Sequence, residues 1–216
     1  MSLLIPLFAV ILLSALLYSE KRQNAKAILI TKSILSLLFV LTAFLQPQED
    51  PAYYHYLIAG LILCLMGDVF LALPGERMFQ MGLVAFLVGH ILYILSFLSL
   101  SEVSHWISSG TLAIFLISAA IFFWLRPYLK SMLFPVLIYI LVITVMLSGA
   151  WAVFRESPLN LSARAFILVG AGSFYFSDLF VARDKFIQEA YRNRLIGLPL
   201  YYAGQFLLAF SVGLLK

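Results

Sequence analysis

"GLILCLMGDVFLAL" (residues 60–73) and "VGAGSFYFSDLFVA" (169–182) decide how this chain is read. Each is an apolar run suited to a bilayer, and each holds one aspartate inside it, Asp68 or Asp178. A charged side chain deep in a membrane helix costs roughly 2.5–3.5 kcal/mol on insertion scales. Residues of that kind usually turn inward and often mark a site. The rest of the chain supports a membrane setting. Of its 216 residues 63% are hydrophobic and only 11% are charged. The mean hydropathy is +1.04. A soluble domain cannot hide that much apolar surface, whereas a protein bathed in lipid has no need to. No basic block alternates with exposed polar sequence, so the net charge of +4 does not point to nucleic acid. The single cysteine, Cys64, excludes an intrachain disulfide and reads as packing.

Apolar runs of bilayer length fall at roughly 3–19, 27–45, 53–73, 78–100, 106–125, 131–154, 162–182 and 195–215. The first has no basic residues before it and no small-residue cleavage site after it, so it reads as a retained span. The expected fold is an all-α polytopic membrane protein with eight transmembrane helices in a single domain, 1–216. Short breaks such as "QPQEDP", "LPGER" and "RESPLNLS" separate the spans. The first, third, fifth and seventh breaks carry Lys21, Arg22, Lys26, Arg77, Arg126, Lys130, Arg183, Lys185, Arg192 and Arg194. The other side carries only Arg155, Arg164 and Lys216. By the positive-inside rule both termini face away from the cytoplasm, and a bacterial inner membrane is the expected location.

The two halves resemble each other. "GDVFLA" (67–72) matches "SDLFVA" (177–182), and "GLVAFLVGHIL" (82–92) matches "GLPLYYAGQFL" (197–207). Two four-span repeats, 1–104 and 105–216, would share one orientation and be related by an axis along the membrane normal. Asp68 and Asp178 then become equivalent positions, as do His90 and Gln205. Asp68, Asp178, Lys32, Tyr139, Ser177, Tyr201, Tyr202 and Gln205 all fall in the cytoplasmic half of their spans. His90 and Tyr93 lie nearer the middle and share a helix face at spacing i, i+3.

Most of these residues also have a plainer reading. Lys32 can snorkel to the headgroups. His90 can be an interhelical hydrogen-bond donor. The tyrosines can belong to the interfacial belt, and Ser177 can bond back to its own helix. The aspartates are harder to dismiss, because a structural carboxylate in lipid needs a cation, and Lys32 is the only one well inside a span. Two carboxylates in one low-dielectric site do not ionise independently, which supplies a general acid and a general base together. There is no G-x-S-x-G elbow and no glycine-rich nucleotide loop, and too few histidines lie inside spans for a zinc site.

"GDVFLAL", "GLVAFLVGHILYI", "PVLIYILVITVM", "FYFSDLFVARDKF" and "YYAGQFLL" resemble the blocks of the YhhN family, the lysoplasmalogenases of bacteria and animal membranes. The resemblance runs from the second span to the eighth. It implies hydrolysis of the vinyl-ether bond of lysoplasmalogens (ethanolamine or choline) to a fatty aldehyde and a glycerophospho-base. Asp68 and Asp178 match the family's acidic positions. Lys32, His90, Tyr93, Tyr139, Ser177, Tyr202 and Gln205 match polar positions in its blocks. The expected reaction is acid–base catalysis by the aspartate pair. It needs no metal or organic cofactor, and the partners are a lysophospholipid substrate and membrane lipids. Lys32 is the expected phosphate anchor. The rival classes are a proton-coupled transporter and an intramembrane aspartyl protease. The transporter is disfavoured because both acids sit towards one face. The protease is disfavoured because Leu65, Ser177 and "GLPL" depart from that family's motifs.

Overall fold

A computed structural model describes residues 4–156 and 158–215. Lys216, counted above on the side poor in basic residues, lies outside the described residues. The described chain is helical, with eight helices long and apolar enough to span a bilayer. They are α1 (Leu4–Lys21), α2 (Ala25–Phe44), α3 (Pro51–Ala72), α4 (Glu76–Leu100), α5 (Ser109–Leu125), α6 (Leu133–Glu156), α7 (Leu161–Ala182) and α8 (Tyr191–Ser211). A π-helical turn, Arg183–Ile187, continues α7.

The helix starts follow from local chemistry. Asn24, Asp50, Ser108 and Asn160 each accept a backbone N–H three residues on, which caps α2, α3, α5 and α7. A cap of this kind contributes about 1 kcal/mol. Pro51 opens α3, where its missing N–H has no cost. Gly75 has φ +112°, a left-handed turn that only glycine makes without strain, and it swings the chain from α3 into α4.

Large apolar side chains such as Phe8, Leu112, Leu116, Phe123 and Phe134 are exposed, as a lipid-facing exterior requires. Inside, helix pairs are drawn together by glycine. α3 packs along α4, and α7 along α8. A Cβ added at Gly60 would sit 3.1 Å from the Gly89 carbonyl oxygen, and one at Gly204 would sit 2.7 Å from the Gly170 carbonyl oxygen. These are the close backbone approaches that small residues permit in membranes. Gly170 follows Gly60 by the same 110 residues that separate Asp178 from Asp68. Gly204 follows Gly89 by the same 115 that separate Gly197 from Gly82. Further contacts are also matched between the halves: α2 on α3 with α6 on α7, and α2 on α8 with α6 on α4.

Gly204→Ala should destabilise the protein by about 1–3 kcal/mol, because the new methyl meets the α7 backbone at Gly170 O and Phe174 N. Gly172→Ala is the control. Its methyl would meet nothing closer than Leu147 Cδ1 at 4.0 Å. Thermal unfolding in detergent checks the pair, and equal melting temperatures would refute the glycine crossing as a packing constraint.

Candidate active site

Asp68 sits on α3, one turn from the end that bears the basic residues, and is 1% exposed. Three groups point at it. Ser36 Oγ donates to Asp68 Oδ2 at 2.6 Å, and Tyr201 Oη donates to the same oxygen at 2.6 Å. Lys32 Nζ lies 3.3 Å from Asp68 Oδ1. Lys32 and Ser36 are four residues apart on α2, so both lie on the stripe facing α3. Lys32 is only 8% exposed and does not snorkel. This is the environment a buried carboxylate needs: a cation and hydrogen-bond donors together.

Asp178, on α7, has a poorer set of partners. Tyr139 of α6 donates to its Oδ2 at 2.6 Å, and among the described residues no cation pairs with it. The aspartates share one cavity of about 910 Å³, lined by the ends of the odd-numbered helices and the starts of the even-numbered ones. That is the side carrying the ten basic residues. The cavity wall is divided. Around α1, α2 and α8 it carries Glu20, Gln23, Lys32, Asn193 and Arg194. Around α5, α6 and α7 it is mostly apolar, with Ile121, Leu125, Val136, Ile140, Ile143 and Leu179 surrounding Tyr139, Tyr175, Ser177 and Asp178.

The polar wall is braced by Arg194. It contacts Glu20 at 2.9 Å, Asp184 at 3.2 Å and Glu189 at 2.9 Å. Asp184, on the π-helical turn, also accepts from the Ala190 N–H and from Asn193 Nδ2. Nearby, Lys185 pairs with Glu76 at 2.9 Å and covers the Phe79 ring, which fixes the turn to the start of α4.

Several expected binding residues stand behind the wall and do not line the cavity. Tyr93 donates to Gln205 Oε1 at 2.8 Å, and Gln205 Nε2 donates to Tyr201 Oη at 3.2 Å. That leaves the Tyr201 proton for Asp68. Tyr202 meets Ser36 Oγ at 3.2 Å. These three therefore act on Asp68 through other side chains. Ser177 lines the cavity, but its hydroxyl donates back to Phe174 O at 2.7 Å.

His90 is fully buried, and neither ring nitrogen has a hydrogen-bond partner. Its ring packs on Phe174 at 4.5 Å and on Tyr139 at 5.3 Å. The offsets between the halves explain the contrast with Gln205. Gln205 finds Tyr201 on its own helix and Tyr93 across from it. At the corresponding positions His90 has Phe86 and Leu208, which offer no polar atom.

Sequence reading missed Ser36, although its spacing from Lys32 was visible. It also missed the Glu20–Arg194–Asp184 brace, because charges at span ends read as ordinary interfacial residues.

Residues 27–212 match the YhhN family. The chain belongs to that family. It is 30% identical over 190 residues to the uncharacterized membrane protein YhhN of Escherichia coli O157:H7, covering 84% of this chain and 85% of that one. The Shigella flexneri protein of the same name matches to the same extent. It is 32% identical over 176 residues to the lysoplasmalogenase TMEM86B of Rattus norvegicus, covering 81% of this chain and 69% of that one. No solved structure matches. The residues that contact the two aspartates fall inside the YhhN region, whereas Glu20 and Gln23 of the cavity wall precede it.

Proposed function

We propose that this YhhN-family membrane protein is a hydrolase of lysoplasmalogens, with Asp178 as general acid and Asp68 as carboxylate. The observation that carries the reading is the unequal surroundings of two aspartates on one divided cavity. Asp68 has a cation and two hydroxyl donors, which favour its ionised form. Asp178 has one hydroxyl donor and an apolar side of the wall, so it keeps the proton that the pair shares.

The reaction follows from that difference. Asp178 gives its proton to the β-carbon of the vinyl ether. The double bond is consumed and an oxocarbenium ion forms, which the Asp68 carboxylate stabilises. Water adds to the cationic carbon and passes a proton to Asp68, giving a hemiacetal. Asp68 then protonates the departing ether oxygen as Asp178 takes the hemiacetal hydroxyl proton. Aldehyde and glycerophospho-alcohol leave, and both aspartates are back in their starting states. The divided wall supports the same orientation, with headgroup towards α1 and α8 and alkenyl chain towards α5 and α6. An ammonium has three donors. Lys32 uses one on Asp68 and has others for the lipid phosphate.

The test is aldehyde release by the purified protein. A lysoplasmalogen should be cleaved. An ester lysolipid should not, because it has no vinyl carbon to protonate. An intact plasmalogen should be cleaved far more slowly, since a second chain must fit beside the reacting carbon. Absence of aldehyde from any vinyl-ether lysolipid would overturn the reading.

The proposal includes orientation: the basic face, and with it the cavity mouth, lies in the cytoplasm. A C-terminal reporter that works only after export should be active. Activity of a reporter confined to the cytoplasm would reverse the topology. The glycine crossings support two parallel four-helix repeats around this site.

A further inference from the structure

The two halves differ in how their first helices are held. α1 leans on α8: Tyr191 Oη donates to Leu17 O at 3.3 Å, and Arg194 pairs with Glu20 at 2.9 Å. The corresponding partners in the other half are α5 and α4. Among the described residues α5 packs chiefly on α6 and has no comparable backbone contact with α4 or with α7. What ties it to α7 is a side-chain hydrogen bond. Ser118 of α5 meets the Tyr175 hydroxyl of α7 at 2.7 Å, and Thr144 of α6 donates to Ser118 Oγ at 2.7 Å. All three hydroxyl residues are buried, and Ser118 and Leu125 are the only buried residues of α5. Polar pairing between membrane helices is individually modest, but on a helix so little packed elsewhere it favours the neighbour that offers the partner.

α4 and α5 therefore both pack on α6 without a comparable contact with each other, and the cavity reaches between them. Leu83 and Phe86 of α4, Ile121 and Leu125 of α5, and Ile140 and Ile143 of α6 line the cavity on this side, and none carries a polar group. Asp178 and Tyr139 stand at the inner end.

We infer that the α4–α5 cleft is the lateral entry for the substrate's hydrocarbon chain, held open by the Ser118–Thr144–Tyr175 hydroxyl cluster. This rests on the hydrolase reading above. The occupant is a single alkenyl chain arriving from the bilayer. The α4 and α5 lining residues are apolar, the exposed Val84, Val88 and Ile117 lie beside them on the same helices, and the row ends at the proposed proton donor. The charged headgroup reaches the opposite, polar wall, so the reacting bond comes to rest between the two aspartates.

The test compares a long-chain lysoplasmalogen with a short-chain analogue bearing a butenyl group, using the full-length protein in nanodiscs. Ile121→Trp and Leu83→Trp, made separately, put an indole in the cleft. Each should lower kcat/KM for the long chain roughly ten- to fifty-fold more than for the short one, the burial of two or three methylenes being lost. Equal losses on both substrates, or none on either, would overturn the entry route while leaving the hydrolase reading intact. Failure of the wild type to cleave either substrate would overturn both. A second measurement needs no turnover. A lysolipid with a diazirine midway along its chain, photolysed with wild-type protein, should label peptides from α4, α5 and α6. Labelling confined to α1, α2 and α8 would refute the cleft.

Discussion

Asp178→Asn should lower kcat by about 10²–10⁴-fold, the usual contribution of a positioned general acid, with little change in melting temperature. The amide keeps the size of the carboxyl and can still accept from Tyr139, whose hydroxyl lies 2.6 Å from Asp178 Oδ2. What it loses is the proton for the vinyl carbon. Because no cation is paired with Asp178 among the described residues, the substitution strands no charge. The loss should fall on kcat and not on KM, since protonation is made only in the transition state. Adding Asp68→Asn to Asp178→Asn should cost little more activity, as the two act as a unit. Turnover within a few-fold of wild type in Asp178→Asn would remove this residue from the chemistry.

Asp68→Asn should behave differently, and the difference is the second large effect. It leaves Lys32 buried at 8% exposure without its carboxylate. Removing one partner of a buried ion pair typically costs about 3–5 kcal/mol, whereas replacing both with apolar groups is often near neutral. Lys32→Met alone strands the carboxylate and should be similarly destabilising, although Ser36 and Tyr201 remain as donors. The double variant Lys32→Met/Asp68→Asn should recover much of the lost stability and still be inactive. Denaturant or thermal unfolding of the four proteins measures this directly. If the single losses add in the double variant, the 3.3 Å contact carries no coupling and the account of Asp68 as a charge held by Lys32 falls.

The contrast between the aspartates shows where sequence reading stops. Asp68 and Asp178 were equally visible, because a carboxylate in an apolar span is costly wherever it points, and both sit in matching six-residue motifs. Their different surroundings were not visible. Lys32 is far from Asp68 in sequence, and no spacing rule says which face α2 turns towards α3. His90 and Gln205 likewise appear as an equivalent pair in the sequence. Folding gives Gln205 two hydrogen bonds and His90 none, because Tyr93 and Tyr201 have no polar counterparts in the other repeat.

Sequence alone therefore determined the membrane class, the eight spans, the family resemblance and the two acids. These follow from transfer energies and local motifs, which act residue by residue. Tertiary structure alone decided the Lys32–Asp68 pair, the retreat of Tyr93, Tyr202 and Gln205 behind the cavity wall, and the hydroxyl tie of α5 to α7. Each depends on the rotation and tilt of one helix against another. Those are fixed by side chains meeting across the bundle, such as Gly170 with Gly204 and Ser118 with Tyr175, where glycine contact and a few hydroxyl pairs outweigh a uniform attraction between apolar surfaces that favours no single arrangement.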